Sequence, residues 1–177
     1  MRNDTMKGTK SYRLARLADL DEVKIAEGDP DPRGWDVQSA DARKIGKVDG
    51  LIADTQAMKI RYLDVELDKK ALGLEEERHI LIPIGGATLR EDEDAVYLST
   101  LPSTALATLP PYRHGPLTRA DEQLFRQRFD SGYMPAAEEA DFYAHEHFDD
   151  NRFFGRRRAE GYLTRSGAGP RSEERRL

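Results

Sequence analysis

Gly28-Asp29-Pro30-Asp31-Pro32-Arg33-Gly34-Trp35-Asp36-Val37 is the stretch whose reading decides the fold. Its two prolines and flanking aspartates favour turns and forbid a helix, so it forms a rigid lead-in to the segments beyond it. Those segments are short and extended. Trp35 and Val37 alternate with Asp36 and Gln38 in a first strand. Residues 39–44 form a turn. Residues 45–54 read as a second strand, with Ile45, Val48, Leu51 and Ile52 apolar and Gly46 and Gly50 at bends. Residues 55–57 connect a hairpin. The period of two in residues 59–67 puts Leu63, Val65 and Leu67 on the core face, with Ile60, Tyr62, Asp64 and Glu66 opposite. Residues 80–84 read as a strand covered on both faces, with Pro83 at an edge or bulge. A last pair, residues 87–89 and 95–98, is joined by an acidic turn at residues 91–94. About six short strands with glycine bends predict a mainly β protein, a small closed barrel, because closure removes exposed edges.

Upstream, Tyr12, Leu14, Leu17 and Leu20 form a thin apolar series leading to Val23 and Ile25. Downstream, residues 103–109 form a helical turn stopped by Pro110-Pro111. Thr118 has the character of an N-cap, with Asp121 three residues on. Leu124, Phe125 and Phe129 then make an apolar stripe at helical spacing, ended by Ser131-Gly132. A second helix is predicted over residues 136–148. Beyond residue 151 periodicity is lost and glycines accumulate, so the end of the chain is expected to be flexible. The division is a lead-in over 1–32, a barrel over 33–112, a helical extension over 113–150 and a flexible Arg-rich tail over 151–177.

The 177 residues suit one domain with extensions. Mean hydropathy is −0.75, so apolar material is sparse and concentrated in the strand region. The net charge of −5 conceals an asymmetry: residues 156–177 carry seven Arg against three Glu, which leaves −9 on the first 155 residues. An acidic body argues against broad nucleic-acid binding, since phosphates need a basic face. The absence of cysteine excludes disulfides, thiolate catalysis and Cys-based metal sites. No apolar run reaches the length of a membrane span, and residues 1–12 lack the core of a signal peptide. A soluble, cytoplasmic protein is the expectation.

Asp29-Pro30-Asp31-Pro32-Arg33-Gly34, Gly46-Lys47-Val48, Ile60-Arg61-Tyr62-Leu63-Asp64-Val65-Glu66 and Leu81-Ile82-Pro83-Ile84 resemble, in that order, the PRC-barrel. They are more similar to the cytoplasmic barrel of the photosynthetic reaction centre H subunit than to the barrel of the ribosomal RNA maturation factor in the same superfamily. Leu117-Thr118-Arg119-Ala120-Asp121-Glu122 resembles the helix after that barrel, so the likeness spans residues 12–134. The resemblance implies docking and assembly rather than chemistry. Two departures bear on an H-subunit role. The H subunit has a membrane anchor ahead of its barrel, whereas this chain is read as starting with the soluble part. Its surface carboxylates serve proton delivery; Asp41 keeps one acidic position, but Lys44 stands where the family has glutamate.

Motifs for chemistry are weak. His145-Glu146-His147-Phe148-Asp149-Asp150 offers zinc or nickel ligands by type, but on a helix His145 and His147 would point about 200° apart, because only i, i+3 or i, i+4 pairs converge. No catalytic residue, cofactor or metal site is assigned. Gly85-Gly86 lacks the lysine and spacing of a phosphate loop, and Glu91 to Asp94 make a solubilising turn. The expected role is a non-catalytic interaction module, with a homodimer or another protein as partner. Its contacts would be Leu124, Phe125 and Phe129 of the stripe, together with Phe153, Phe154, Arg156, Arg157 and Arg158 of the tail. Two other readings stand beside it: an H-subunit-like accessory of electron transfer, and an RNA- or ribosome-associated protein acting through the arginines.

Overall fold

Thirteen strands and helices succeed one another along the residues that the computed structural model describes, 13–130, 132–134, 142–155 and 161–165. They are β1 (Leu14–Arg16), β2 (Val23–Ile25), β3 (Asp36–Gln38), β4 (Lys44–Asp54), β5 (Lys59–Leu67), α1 (Lys69–Leu72), β6 (His79–Pro83), β7 (Ala87–Arg90), β8 (Ala95–Leu98), α2 (Ser103–Leu106), α3 (Arg119–Phe129), α4 (Asp150–Phe154) and β9 (Leu163–Arg165). Among these residues no helix is long and apolar enough to cross a membrane.

One sheet runs in the order β6-β5-β4-β3-β8-β7, with β1 added to the far end of β4; β2 and β9 form a separate antiparallel pair. The expected closed barrel is corrected here. No ladder joins β6 to β7, and the hydrogen-bonded sheet stays open. The chain itself bridges the two edges, since β6 passes into β7 through a single 3-10 turn at Ile84–Gly86. Three residues cannot span a flat six-strand sheet, so the sheet has to curl.

The curl encloses a first core that includes Val37, Ile45, Val48, Leu51, Leu63, Val65, Ile80, Ile82, Val96 and Leu98. A second core lies on the outer face, where Ile52, Tyr62 and Leu81 pack against Phe125, Tyr133, Phe142 and Phe148. This is why β5 and β6 are buried on both sides, as the apolar run of β6 predicted. The strict alternation of β5 fails at one point. Ile52 pairs with Tyr62 and Ala53 with Ile60, so Arg61 is an extra residue and Ile60 swings into the first core.

α3 begins as its sequence predicts. Thr118 accepts from the Asp121 backbone N–H, and the Asp121 carboxylate accepts from the Thr118 N–H. The helix expected over 136–148 does not form where it can be seen: residues 142–144 and 146–148 are two short 3-10 turns, and residues 135–141 lie outside the described set. Within the tail expected to be flexible from 151, residues 151–155 and 161–165 are ordered instead, and the rest lies outside the described residues. α4 places Phe153 and Phe154 in the first core, and β9 pairs with β2 in the register Val23↔Arg165 to Ile25↔Leu163.

At the β4–β5 hairpin Asp54 is fully buried. Its carboxylate accepts from Arg13 at 3.0 Å, from Arg61 at 3.0 and 3.1 Å, and from the backbone N–H groups of Gln56 and Ala57. Burial alone would raise this carboxyl, but those hydrogen bonds and the Arg61 charge outweigh it and hold the group below its usual range.

Candidate functional site

One irregularity in the sheet and one returning loop bring four side chains together. In β4 the register passes from Val48↔Val65 to Gly50↔Asp64, which leaves Asp49 as the extra residue of a bulge. A bulge turns two successive residues toward one opposite partner, and so Asp49 comes to lie beside Asp64. Gly50 clears the space between them. A Cβ there would stand 2.7 Å from the Arg16 guanidinium, which reaches in from the end of β1. Arg16 donates through Nη1 to Asp64 and through Nη2 to Asp49 at 3.1 Å.

His79, the first residue of β6, presents Nδ1 to Asp64 Oδ1 at 2.9 Å. His114 arrives from the loop ahead of α3, its backbone in the left-handed region at φ 42°, and places Nε2 2.9 Å from Asp64 Oδ2. The same loop is tied to β6 by the Tyr112 N–H, which donates to the His79 carbonyl at 2.7 Å. The two imidazoles meet edge to face, with ring nitrogens 3.2 Å apart. Asp49 Oδ2 is 3.8 Å from each of those nitrogens. Asp64 is fully buried, His79 half-buried, and Asp49 and His114 open to solvent. Donor atoms of Asp49, Asp64, His79 and His114 thus all lie within 4.8 Å of one another.

His114 and Arg16 also line an open cleft of about 950 Å³. Its apolar lining comes from Leu14, Leu20, Ile52 and Leu117, and Arg165 stands among its polar residues. The whole of β1 borders the cleft, and among the described residues β1 is laddered only to β4.

Asp130, His145 and His147 form a second group of convergent donors. A helix would keep His145 and His147 apart, as the sequence suggests; the non-helical backbone brings their rings to 4.3 Å. The His147 imidazole is pushed below its ordinary value by burial and then by the neighbouring His145.

The residues expected to contact a partner are mostly occupied within the chain. Phe125 is buried in the second core, Phe153 and Phe154 in the first, and Phe129 packs partly buried against the first core. Their rings are therefore not surface handles in this fold. Among the described members of that set, only Leu124 is exposed. Arg156, Arg157 and Arg158 lie outside the described residues. Asp41, the acidic position kept from the family pattern, is clasped by the Ser39 hydroxyl at 2.5 Å and by the Ser103 N–H and hydroxyl at 2.9 and 2.7 Å. Those hydrogen bonds, that from Ser39 first, hold its carboxyl well below the usual range. Lys44 pairs with Asp36 at 3.1 Å.

Nothing local in the sequence announced the Asp49–Asp64–His79–His114 group. Its four members are separated by up to 65 positions and meet only through the bulge and the returning loop. Asp64 did not stand out, because the same strand also carries Lys59, Arg61 and Glu66.

A curled, mixed sheet bridged by one turn, with a second core under a helical extension, defines a mainly β domain of the small-barrel class. Residues 25–104 match the family described as PRC-barrel domain, and the chain carries a PRC-barrel domain over that span. Its sheet accounts for most of the match; β1, the His114 loop, α3 and β9 lie outside it.

Proposed function

We propose that this protein is a non-catalytic interaction and assembly module that seats an extended segment of another protein in the cleft beside β1. The observation that carries the reading is the coincidence of that cleft with a strand edge used by no ladder among the described residues. A free edge offers main-chain hydrogen bonds to an added strand, and flanking apolar pockets select its alternate side chains. Leu14, Leu20, Ile52 and Leu117 supply such a surface, and Arg165 at the cleft favours a carboxylate on the segment. Membership of a PRC-barrel domain supports the same general role.

The test is a photo-crosslinking residue placed at Leu117, inside the cleft, and at Lys69, away from it, in cells that make the protein. A discrete adduct from position 117 only, reduced several-fold by Leu20→Asp, is the expected result. Equal adducts from both positions, or indifference to Leu20→Asp, would overturn the reading.

A further inference from the structure

We propose that Asp49, Asp64, His79 and His114 bind one divalent transition-metal ion of the zinc class. This site is independent of the cleft reading and rests on the geometry of the four side chains. His79 Nδ1 and His114 Nε2 each stand 2.9 Å from an Asp64 oxygen, a contact that favours a proton on each nitrogen. The same two nitrogens face each other at 3.2 Å, where one of them must accept. Both demands cannot be met at once by protons on these nitrogens. A cation at the centre meets them together, because every atom then presents a lone pair inward.

The spacing agrees. Zinc bonds of about 2.0–2.2 Å to nitrogen and oxygen put neighbouring tetrahedral donors about 3.3–3.5 Å apart. The two histidine nitrogens are 3.2 Å apart, each is 3.8 Å from Asp49 Oδ2, and each is 2.9 Å from one Asp64 oxygen, Oδ1 for His79 and Oδ2 for His114; taking one oxygen from each carboxylate, the four donors lie within 4.8 Å of one another, around that value. Two imidazoles and two carboxylates select a borderline metal over calcium or magnesium, which take all-oxygen sets. Arg16 donates to both carboxylates from outside the donor set, the outer hydrogen bonding that orients metal-bound carboxylates. Asp64 is fully buried, which keeps one ligand fixed, while the solvent-facing Asp49 and His114 leave a path in.

Such an ion would join the β4 bulge, β5, β6 and the loop ahead of α3 at one point. It would therefore make the placement of that loop, and of the cleft wall formed by His114, depend on metal.

The full-length protein, stripped with a chelator, is titrated with zinc by calorimetry and with cobalt(II) by visible absorption. One equivalent should bind, with the intense bands of four-coordinate cobalt. His79→Ala and His114→Ala should each weaken binding at least tenfold and abolish those bands, whereas His145→Ala at the second histidine group should not. His114 is exposed in a loop, so His114→Ala should melt like metal-free wild type. In wild type, cobalt should also shift the imidazole resonances of His79 and His114, a readout that needs no variant. Binding that survives both substitutions, a loss confined to His145→Ala, or no saturable binding would overturn the proposal.

Discussion

Glu122 lies in the first turn of α3, where a carboxylate suits the helix dipole, yet it points into the second core and is buried. Its Oε1 accepts from the Tyr62 hydroxyl at 2.9 Å and the Tyr143 hydroxyl at 2.5 Å. Burial pushes its carboxyl above the ordinary 4.5, and the hydrogen bonds from Tyr143 and Tyr62 offset this only in part. The same contact raises the Tyr143 phenol, through burial first and the Glu122 charge second. A carboxyl whose folded value is raised binds its proton more tightly in the native state. The stability it contributes is full below the unfolded value of 4.5 and is lost as pH rises through the folded value. Glu122→Gln keeps the Oε1 acceptor and removes the titration. The variant should melt higher than wild type at pH 7, with the gap closing toward pH 4. A gap that widens on acidification would show that the carboxylate, not the acid, is the favoured native form.

At the scale of elements, the junction between β6 and β7 shows how little room the curl leaves. A methyl on Gly86 would stand 2.4 Å from the edge of the Phe129 ring, which packs there from the end of α3. Gly86→Ala should therefore cost about 1–3 kcal/mol by overpacking, read as a lower denaturant midpoint with an unchanged slope. A midpoint equal to wild type would mean that Phe129 is free to move aside. The six strands β3 to β8 and α3 were legible because their signals are local: alternation in β5, a continuous apolar run in β6, and a Thr118–Asp121 capping box; β1, β2 and β9 were not read as strands. The open sheet, the Arg61 bulge and the role of α4 were not, because each depends on which surfaces meet. Phe153 and Phe154 look identical in sequence whether they fill a core or wait for a partner. The Asp49–Asp64–His79–His114 group was hidden for the same reason. A bulge that moves Asp49 beside Asp64 leaves no mark in the periodicity.

For the whole molecule, the segment after the barrel is part of its interior and not an appendage. Phe125, Tyr133, Phe142 and Phe148 roof the second core, and Phe153, Phe154, Tyr162 and Leu163 complete the first. Burying a large apolar side chain contributes roughly 1.5–3 kcal/mol. Losing eight of them exceeds the stability of about 5–15 kcal/mol typical of a domain. A chain ending at Pro111 should therefore lack a cooperative melt and be digested rapidly by protease. A melt within a few degrees of full length would instead make the barrel self-sufficient. Surface association has less to work with than the stripe in α3 suggested, since Leu124 and Met134 are the exposed large apolar residues among those described.

The pairing of Val23 with Arg165 carries a consequence for how the molecule is made. Synthesis delivers β2 well before β9, with β3 to β8 between them. For that interval Ile25 and its neighbours have no strand to pair with, and Tyr162, fully buried in the finished protein, has yet to arrive. Contacts so distant along the chain form slowly, because the loop they close must first be ordered. The nascent protein therefore stays unsealed over that interval, until β9 has cleared the exit tunnel and can reach β2.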